Sequence, residues 1–295
     1  MSTKEALQEY DNCASRVFSW RNRKFWNLSY RFRAKRLQAA VESIVKERGL
    51  GEHMWDPEEP EKGKVIVCVR PSDSVGDPRL LRSFAGDPGI DGDCDKHIMI
   101  WEAARATTAS PSFFKPQNLG CGMAAKPYTD AAIGANNPVR FLLREAVDEF
   151  GSGRRLGCLV SIGTGTREVR LDRPATGLKH LVQVPSFYWH LIKTLRATAT
   201  DSEKTHRQLQ TRLCQSPSAY YRFNVPNGAQ GIKPQQYKKI PELKSRTAQY
   251  LSDPAVNGQV CHIADALKTD SFGHRLTLGL VGMEPLCPPL LCSGN

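Results

Sequence analysis

A carboxylate placed between a strand and a helix is the feature that most constrains this chain. Asp130 is predicted to lie where a strand gives way to a loop, and the loop closes with Asn137 and Pro138. Asparagine is favoured as a helix cap, and proline at the first helical position, because a helix leaves that amide hydrogen unused. We therefore predict a helix over Val139–Phe150 that ends at Gly151.

A second predicted strand follows this helix. The run from Leu156 to Ile162 is apolar and is closed by Gly163-Thr164-Gly165, a pattern typical of a strand covered on both faces. The strand before Asp130, the helix and this strand together predict a βαβ unit. Ligands in such sheets bind beyond the carboxyl ends of the strands, which favours a functional role for Asp130 over that of a plain turn residue.

Three strings of residues carry a resemblance to a known family: WEAARATTASPSFF from Trp101, YTDAAIGANNPVR from Tyr128 and LVSIGTGT from Leu159. They resemble the second half of the catalytic domain of patatin-like phospholipases, a family of lipid acyl hydrolases. The similarity continues through YYRFNV and YLSDPAVNGQ to about Leu267. It implies an α/β protein with a three-layer α/β/α fold, incomplete at the N-terminus, and with a helical C-terminal part.

The resemblance also implies a site. Catalysis in this family uses a Ser/Asp dyad, and Asp130 matches the dyad aspartate. The residues that support the motif are Ala131, Ala132, Asn136, Asn137 and Pro138. Ala131 stands where the family usually has glycine. If this position needs a positive φ, or a close backbone approach to the serine, an alanine would strain or displace Asp130.

The serine half of the dyad is absent from the sequence. Neither the family's glycine-rich oxyanion loop nor a G-x-S-x-G elbow occurs, and an elbow needs both glycines because its strained turn has no room for a Cβ atom. The resemblance implies an acyl hydrolase of the phospholipase A2 or esterase type in lipid metabolism, which needs no metal or cofactor. Its substrate would be a phospholipid or another acyl-ester lipid. Since the chain supplies the base alone, we expect it to be inactive, and the residues that bind substrate stay unassigned.

Three interpretations stay open. The first is a hydrolase whose opening segment is missing through a late start or a faulty gene model. The second is a non-catalytic patatin-like pseudoenzyme, and the third is a basic module for anionic surfaces. Loss of a central strand and of the elbow helix would expose the strand edges and apolar surface of their neighbours. We therefore expect the isolated chain to be poorly soluble or oligomeric.

The segment from Arg16 to Arg36 holds eight basic residues and no acidic one. Aromatic residues are interleaved with them: Phe18, Trp20, Phe25, Trp26, Tyr30 and Phe32. The favoured interpretation is that the aromatics pack on the core and the basic residues form a solvated rim. A surface for anionic membranes is the second interpretation, and nucleic-acid binding is the least favoured.

Charge and cysteine content limit the partners and the cellular compartment that this chain is expected to have. A formal charge of +11 favours anionic partners, although charge alone does not choose between lipid and nucleic acid. The nine cysteines are scattered without C-x-x-C spacing, and the polar start lacks a signal peptide. No apolar run approaches the roughly 20 residues that span a bilayer. We predict a cytoplasmic protein that meets membranes only peripherally.

We predict three regions: residues 1–166 as a truncated catalytic core, residues 167–267 as a mainly helical continuation of the same domain, and residues 268–295 as a loose tail rich in Pro, Gly and Ser. The other predicted helices are Thr3–Phe18, with Ser2 and Glu5 as a capping box, Arg33–Arg48, one or two helices from Phe187 to Cys214, and one capped by Asp253. The other predicted strands are Lys64–Arg70, Arg79–Phe84 and Tyr220–Val225.

Overall fold

The computed structural model describes the chain except residues 25–29, 59–62, 74–76, 86–95, 111–112, 166–201, 215, 217–218, 229–231, 233–234, 270–275 and 283–295. The fold is α/β, as predicted. It divides into two units: Met1–Ala132 with Lys233–Ile240, and Ile133–Ile232 with Pro241–Asn295. Each unit has hydrophobic clusters of its own.

The first unit combines helices with an antiparallel sheet. Its helices are α1 (Thr3–Val17), α2 (Ala34–Glu47) and α3 (Ile100–Thr107), and its strands are β1 (Ile66–Pro71), β2 (Arg79–Arg82), β3 (Gln117–Leu119) and β4 (Lys126–Asp130). The strand order is β2-β1-β4-β3, and each neighbouring pair is antiparallel. Val69 of β1 and Leu81 of β2 share one buried cluster with two alanines of α3, Ala103 and Ala106, so α3 packs on this sheet.

Local sequence signals set the ends of the first two helices. The Ser2 hydroxyl accepts the Glu5 amide at 3.3 Å, and the Glu5 carboxylate accepts the Ser2 amide at 2.8 Å, which confirms the predicted capping box. Helix α2 ends before Gly49, whose φ of 61° lies in the left-handed region that glycine enters without steric cost. Arg48 then joins the two helices through ion pairs to Glu5 and Glu9.

The aromatic residues of the basic segment divide between core and surface. Phe32 is buried at 4% exposure, and its ring meets the Phe18 ring edge-on at 5.2 Å between centroids. Phe114 joins the same cluster with side chains of α1 and α2. Trp20, by contrast, is 69% exposed. The core interpretation is therefore confirmed for Phe18 and Phe32, while Phe25 and Trp26 lie outside the described residues.

The second unit is mainly helical. Its elements are α5 (Val139–Phe150), β5 (Leu159–Ile162), α6 (residues 202–212), β6 (Tyr220–Phe223), α7 (Ile240–Leu251), α8 (Pro254–Thr269) and α9 (Leu278–Gly282), while the one-turn α4 (Ala132–Ala135) spans the boundary between the units. Strands β5 and β6 pair in parallel. The Asp253 carboxylate accepts the Ala255 amide at 2.9 Å, as predicted for the cap of α8.

The βαβ prediction is wrong. Strand β4 belongs to the antiparallel sheet of the first unit, whereas β5 pairs with β6 in a separate sheet of the second unit. Strand β5 is also not covered on both faces, because Val160 and Ile162 are 37% and 79% exposed while Leu159 and Ser161 are buried. Hydrophobicity indicates that a segment is a strand, but it does not specify which strand it pairs with.

The prediction of a loose tail is wrong for residues 276–282. These residues include α9, and Leu278 and Val281 are buried in the core of the second unit. Of the nine Pro, Gly and Ser residues that suggested a tail, seven lie at positions 270–275 and 283–295, outside the described residues. The helix predicted around Phe187 lies outside them too, whereas Leu209 and Leu213 are buried as the pattern indicated.

The division of the aromatics predicts two different effects on stability. Phe32→Ala removes a buried ring, so the free energy of unfolding should fall by about 3–5 kcal/mol. Trp20→Ala removes an exposed ring and should change it by no more than about 0.5 kcal/mol. Urea unfolding of both variants measures the difference. Equal effects would contradict the assignment of Phe32 to the core and Trp20 to the surface.

Candidate functional site

Asp130 is the last residue of β4. It pairs with Val69 of β1 at the final step of the ladder between these strands. Its own amide donates to the carbonyl of Ala109, in the loop after α3, at 3.3 Å. The carboxylate therefore lies where the strand ends, next to the chain that leaves α3.

Among the described residues, two hydrogen-bond donors and one cation act on the Asp130 carboxylate. The amide of Ala132 donates to Oδ1 at 2.7 Å, the Ser110 hydroxyl donates to the same carboxylate, and the Arg70 guanidinium is close enough to act on its charge. Burial raises the pKa of Asp130 by disfavouring the charged form, and this effect outweighs the two hydrogen bonds and the Arg70 charge, which lower it. A raised pKa makes a carboxylate a stronger base, which suits a group that takes a proton in catalysis.

Ala131 does not strain the backbone beside Asp130. Among the described residues other than glycine, only Asn227 has a positive φ, so Ala131 has an ordinary backbone conformation. Its side chain is buried at 2% exposure. The chain therefore does not take the positive φ at Ala131 that would have strained an alanine.

The Asn-Asn-Pro sequence begins α5 in a different way from the prediction. The helix starts at Val139, Pro138 occupies the cap position, and no side chain caps the helix. Asn136 is exposed, whereas Asn137 is buried at 2% exposure. The prediction of Asn137 as the cap is wrong, because its amide group bonds to distant parts of the second unit instead.

Asn137 belongs to a buried polar network. Its Oδ1 accepts the Ser161 hydroxyl of β5 at 3.1 Å, and its Nδ2 donates to the Ser202 carbonyl at 3.5 Å. Arg222 of β6 donates to the hydroxyls of Ser161 and Ser202 at 2.7 and 2.8 Å. Four segments distant in the sequence are thus joined by hydrogen bonds, and the two strands meet through side chains as well as backbone.

Tyr220 and His206 extend this network. The Tyr220 hydroxyl lies 3.2 Å from His206 Nδ1, and it also bonds to Asn137 and Ser161. Burial raises the pKa of the tyrosine and lowers the pKa of the histidine, so both are favoured in their neutral forms. Neutral partners suit an interior where the Arg222 guanidinium donates to the uncharged hydroxyls of Ser161 and Ser202.

The Gly-Thr-Gly sequence after β5 fits around Asn224. The Gly165 amide donates to Asn224 Oδ1 at 2.8 Å. A Cβ atom at Gly163 would overlap that carboxamide oxygen and lie 3.1 Å from Arg222 Nη2. Glycine at 163 therefore lets the loop approach both side chains closely.

Some basic residues beside Trp20 face solvent. Arg21, Arg23 and Lys24 are exposed together with the indole ring, and they follow directly on it in sequence. This group, the Trp20 patch, combines an amphipathic ring with positive charge, the composition of surfaces that bind anionic lipid.

Metal and membrane-spanning features were sought over the described part of the chain. There, no three or more His, Cys, Asp and Glu side chains come together in a way that would hold a metal ion. Of the helices described, none is long and apolar enough to cross a bilayer.

Sequence reasoning found Asp130 and Asn137 but missed their partners. Ser110 lies in the quoted string that follows Trp101, and Ser161 and Arg222 lie in strings quoted for the resemblance. Ser161 and Arg222 could have been found from the sequence, because each is a polar residue at a strand position whose alternation predicts an inward-facing side chain. For Ser110 there was no local signal, because its contact with Asp130 depends on the tertiary fold.

Comparison with known proteins gives a consistent family. Residues 2–143 match the family model described as patatin-like phospholipase. The chain is 28% identical over 233 residues to Phospholipase A I of Arabidopsis thaliana, 29% over 170 residues to Patatin-like phospholipase 1 of Plasmodium falciparum (isolate NF54), and 29% over 149 residues to human Calcium-independent phospholipase A2-gamma.

These matches cover much of the chain but little of each relative. The three alignments span 74%, 53% and 49% of this chain, but only 15%, 24% and 17% of the respective relatives. The chain thus corresponds to a minor part of each longer protein.

The raised pKa of Asp130 predicts how stability changes with pH. The folded state favours the protonated carboxyl, so the stability that Asp130 contributes is present below the ordinary aspartate pKa and is lost as pH rises through the raised value. Asp130→Asn removes this loss, so the variant should become more stable relative to the wild type as pH rises through that range.

Urea unfolding at a series of pH values measures the effect. Asp253→Asn is the matched control, since Asp253 is an exposed cap and asparagine can accept the same Ala255 hydrogen bond. A stability difference between Asp130→Asn and the wild type that stays constant with pH would contradict the prediction.

Proposed function

Because the chain belongs to the patatin-like phospholipase family, we propose that it provides the base of a lipid acyl hydrolase, with Asp130 in that role. The observation that carries the proposal is the geometry at the end of β4. There, a partly buried carboxylate is oriented by the Ala132 amide and the Ser110 hydroxyl, and its pKa is raised. A general base needs both fixed orientation and a pKa near the working pH.

The proposed reaction is hydrolysis of an acyl ester of a phospholipid or related lipid. Asp130 takes the proton of a serine hydroxyl while the serine oxygen attacks the ester carbonyl carbon, and amide N–H groups stabilise the resulting oxyanion. The proton then passes to the leaving alcohol, and water attacks the acyl-serine to release the fatty acid. No step requires a metal or cofactor.

The serine is the part of the dyad that this sequence lacks. Since no G-x-S-x-G occurs, the proposal takes the serine and the oxyanion donors from polypeptide outside these 295 residues. By itself the chain is expected to be inactive. The alternative is a non-catalytic patatin-like protein that keeps the aspartate without using it.

We further propose that the Trp20 patch brings the protein to anionic membrane surfaces from the cytoplasm. Three exposed basic residues within the four positions that follow an exposed indole support this role. Nucleic acid is the less favoured partner, because Phe18 and Phe32 pack inside the first unit and so are not free to stack on bases.

The first test uses the protein as its native cell makes it. Its N-terminus and intact mass show whether it carries a G-x-S-x-G elbow, and the purified protein is assayed for release of fatty acid from phospholipid. Asp130→Asn should lower the rate about 10²- to 10⁴-fold, the usual contribution of a general base. Asp253→Asn, a change of the same kind at an exposed helix cap, should leave the rate unchanged.

Two outcomes would count against the hydrolase proposal. A natural protein that starts at Met1 and releases no fatty acid would be a non-catalytic member of the family. A natural protein that hydrolyses lipid equally well with Asp130→Asn would use a different base.

The second test measures binding of the chain to vesicles of phosphatidylcholine with and without phosphatidylserine. The triple variant Arg21→Gln, Arg23→Gln and Lys24→Gln loses three charges worth about 1 kcal/mol each near an anionic surface. We therefore expect roughly hundredfold weaker binding to phosphatidylserine vesicles, and weaker binding of the wild type at high salt.

The matched control is the triple variant Lys4→Gln, Lys46→Gln and Lys126→Gln, which removes three exposed charges elsewhere. This variant has the same net charge as the Trp20 patch variant, so it separates a localised surface from general attraction. Equal losses in the two variants, or wild-type binding that does not depend on phosphatidylserine, would contradict a lipid-binding role for the patch.

A further inference from the structure

The turn after α3 holds Ser110 at the end of β4. The Ser110 carbonyl accepts the amides of Phe113 and Phe114 at 3.0 and 3.3 Å, and the neighbouring Ala109 carbonyl accepts the Asp130 amide at 3.3 Å. The backbone of Ser110 is therefore fixed beside Asp130 by the turn on one side and by the strand on the other.

Both flanks of this turn are anchored in the first unit. Phe114 is 4% exposed and packs in the aromatic cluster of α1 and α2. On the other flank, the hydroxyl of Thr107 donates to the Cys68 carbonyl of β1 at 3.0 Å, which ties the end of α3 to the sheet. These contacts hold the segments before and after the turn, and with them the backbone at Ser110, against the first unit.

The Ser110 hydroxyl and the Ala132 amide act together on Asp130. The amide holds Oδ1 at 2.7 Å, and the hydroxyl donates a second hydrogen bond to the same carboxylate. One donor precedes Asp130 in the sequence and the other follows it, and together they limit rotation of the carboxylate. They also stabilise its charged form, against the burial that disfavours that form.

Ser110 has the wrong surroundings for a nucleophile. The residue after it is Pro111, which has no amide hydrogen, whereas the amide that follows a nucleophilic serine normally helps to bind the oxyanion. The sequence Thr-Ala-Ser-Pro-Ser also lacks the glycines of a nucleophile elbow. The contact of Ser110 with Asp130 therefore points to a supporting role.

We propose that Ser110 is a positioning residue, whose hydroxyl orients the Asp130 carboxylate for proton transfer. The inference rests on the proposed function of Asp130 as the base. Ser110 itself forms no bond to substrate, and its effect reaches the reaction through the orientation and proton affinity of Asp130.

The test follows the titration of Asp130 in the full chain by NMR, with ¹³C at the aspartate carboxyl carbons and the Asp130 signal assigned from Asp130→Asn. Ser110→Ala removes a hydrogen bond to the charged form, so the midpoint should move to higher pH by about one unit. Ser110→Thr keeps a hydroxyl and should return the midpoint towards the wild-type position.

The control is Ser72→Ala, because the Ser72 hydroxyl donates to the Pro127 carbonyl of the same sheet at 3.0 Å and does not contact the Asp130 carboxylate. It should leave the titration unchanged. A midpoint that stays in place in Ser110→Ala, or that moves equally in Ser72→Ala, overturns the proposal. The proposal is also overturned if Ser110→Thr does not return the midpoint of the Asp130 titration towards the wild-type value.

Two further measurements separate this inference from the proposed function. The titration needs no turnover, so it gives its answer whether or not the natural protein hydrolyses lipid. Where hydrolysis is measured, Ser110→Ala should move the acid limb of kcat/KM to higher pH, because the base stays protonated up to a higher pH. Labelling of Ser110 by a fluorophosphonate probe would make it a nucleophile and would overturn the positioning role.

Discussion

The ladder between β1 and β4 ends at the pair Val69 and Asp130, and the candidate site depends on that ending. Past this pair the chain leaves the sheet, and the amide of Ala132 turns back onto the Asp130 carboxylate. The backbone amide of Asp130 is already bonded to Ala109, so its main chain is fixed while its side chain reaches the loop after α3. The end of one strand thus sets the position, the partners and the proton affinity of this carboxylate together.

The sequence was sufficient wherever the signal is local. The capping box at Ser2 and Glu5, the cap at Asp253 and the extent of α5 each depend on residues within one or two turns, and each agrees with the structure. Asp130 was identified from its motif, and its placement at a strand end is local too.

The sequence was not sufficient where the outcome depends on distant partners. The side chain of Asn137 has a choice between capping its own helix and bonding to Ser161, and only the fold of the second unit decides it. The strands that pair with β4 and β5 were also not predictable, for the same reason. An apolar run indicates a strand but does not indicate which other strand it pairs with. Ser110 is a third case, because its contact with Asp130 joins residues that no helical or strand period relates.

The network around Arg222 gives a physical reason why three of the strings that carry the family resemblance occur together. One contributes Asn137, another Ser161 and Gly163, and the third Arg222 with Asn224. Each buried polar group depends on the others, and removing one partner leaves another without its hydrogen bond in a dry interior. A substitution at one of these residues is therefore expected to weaken the hydrogen bonds of the others.

Helix α9 has a consequence for the order in which the second unit is assembled. Leu278 and Val281 fill the same core as Val139 and Leu159, although they are synthesised much later. While the chain is still growing on a ribosome, α5 and β5 have to wait with part of their apolar surface uncovered until α9 emerges. The core of the second unit is therefore complete only once α9 has been synthesised, and until then the residues that α9 covers are exposed to aggregation.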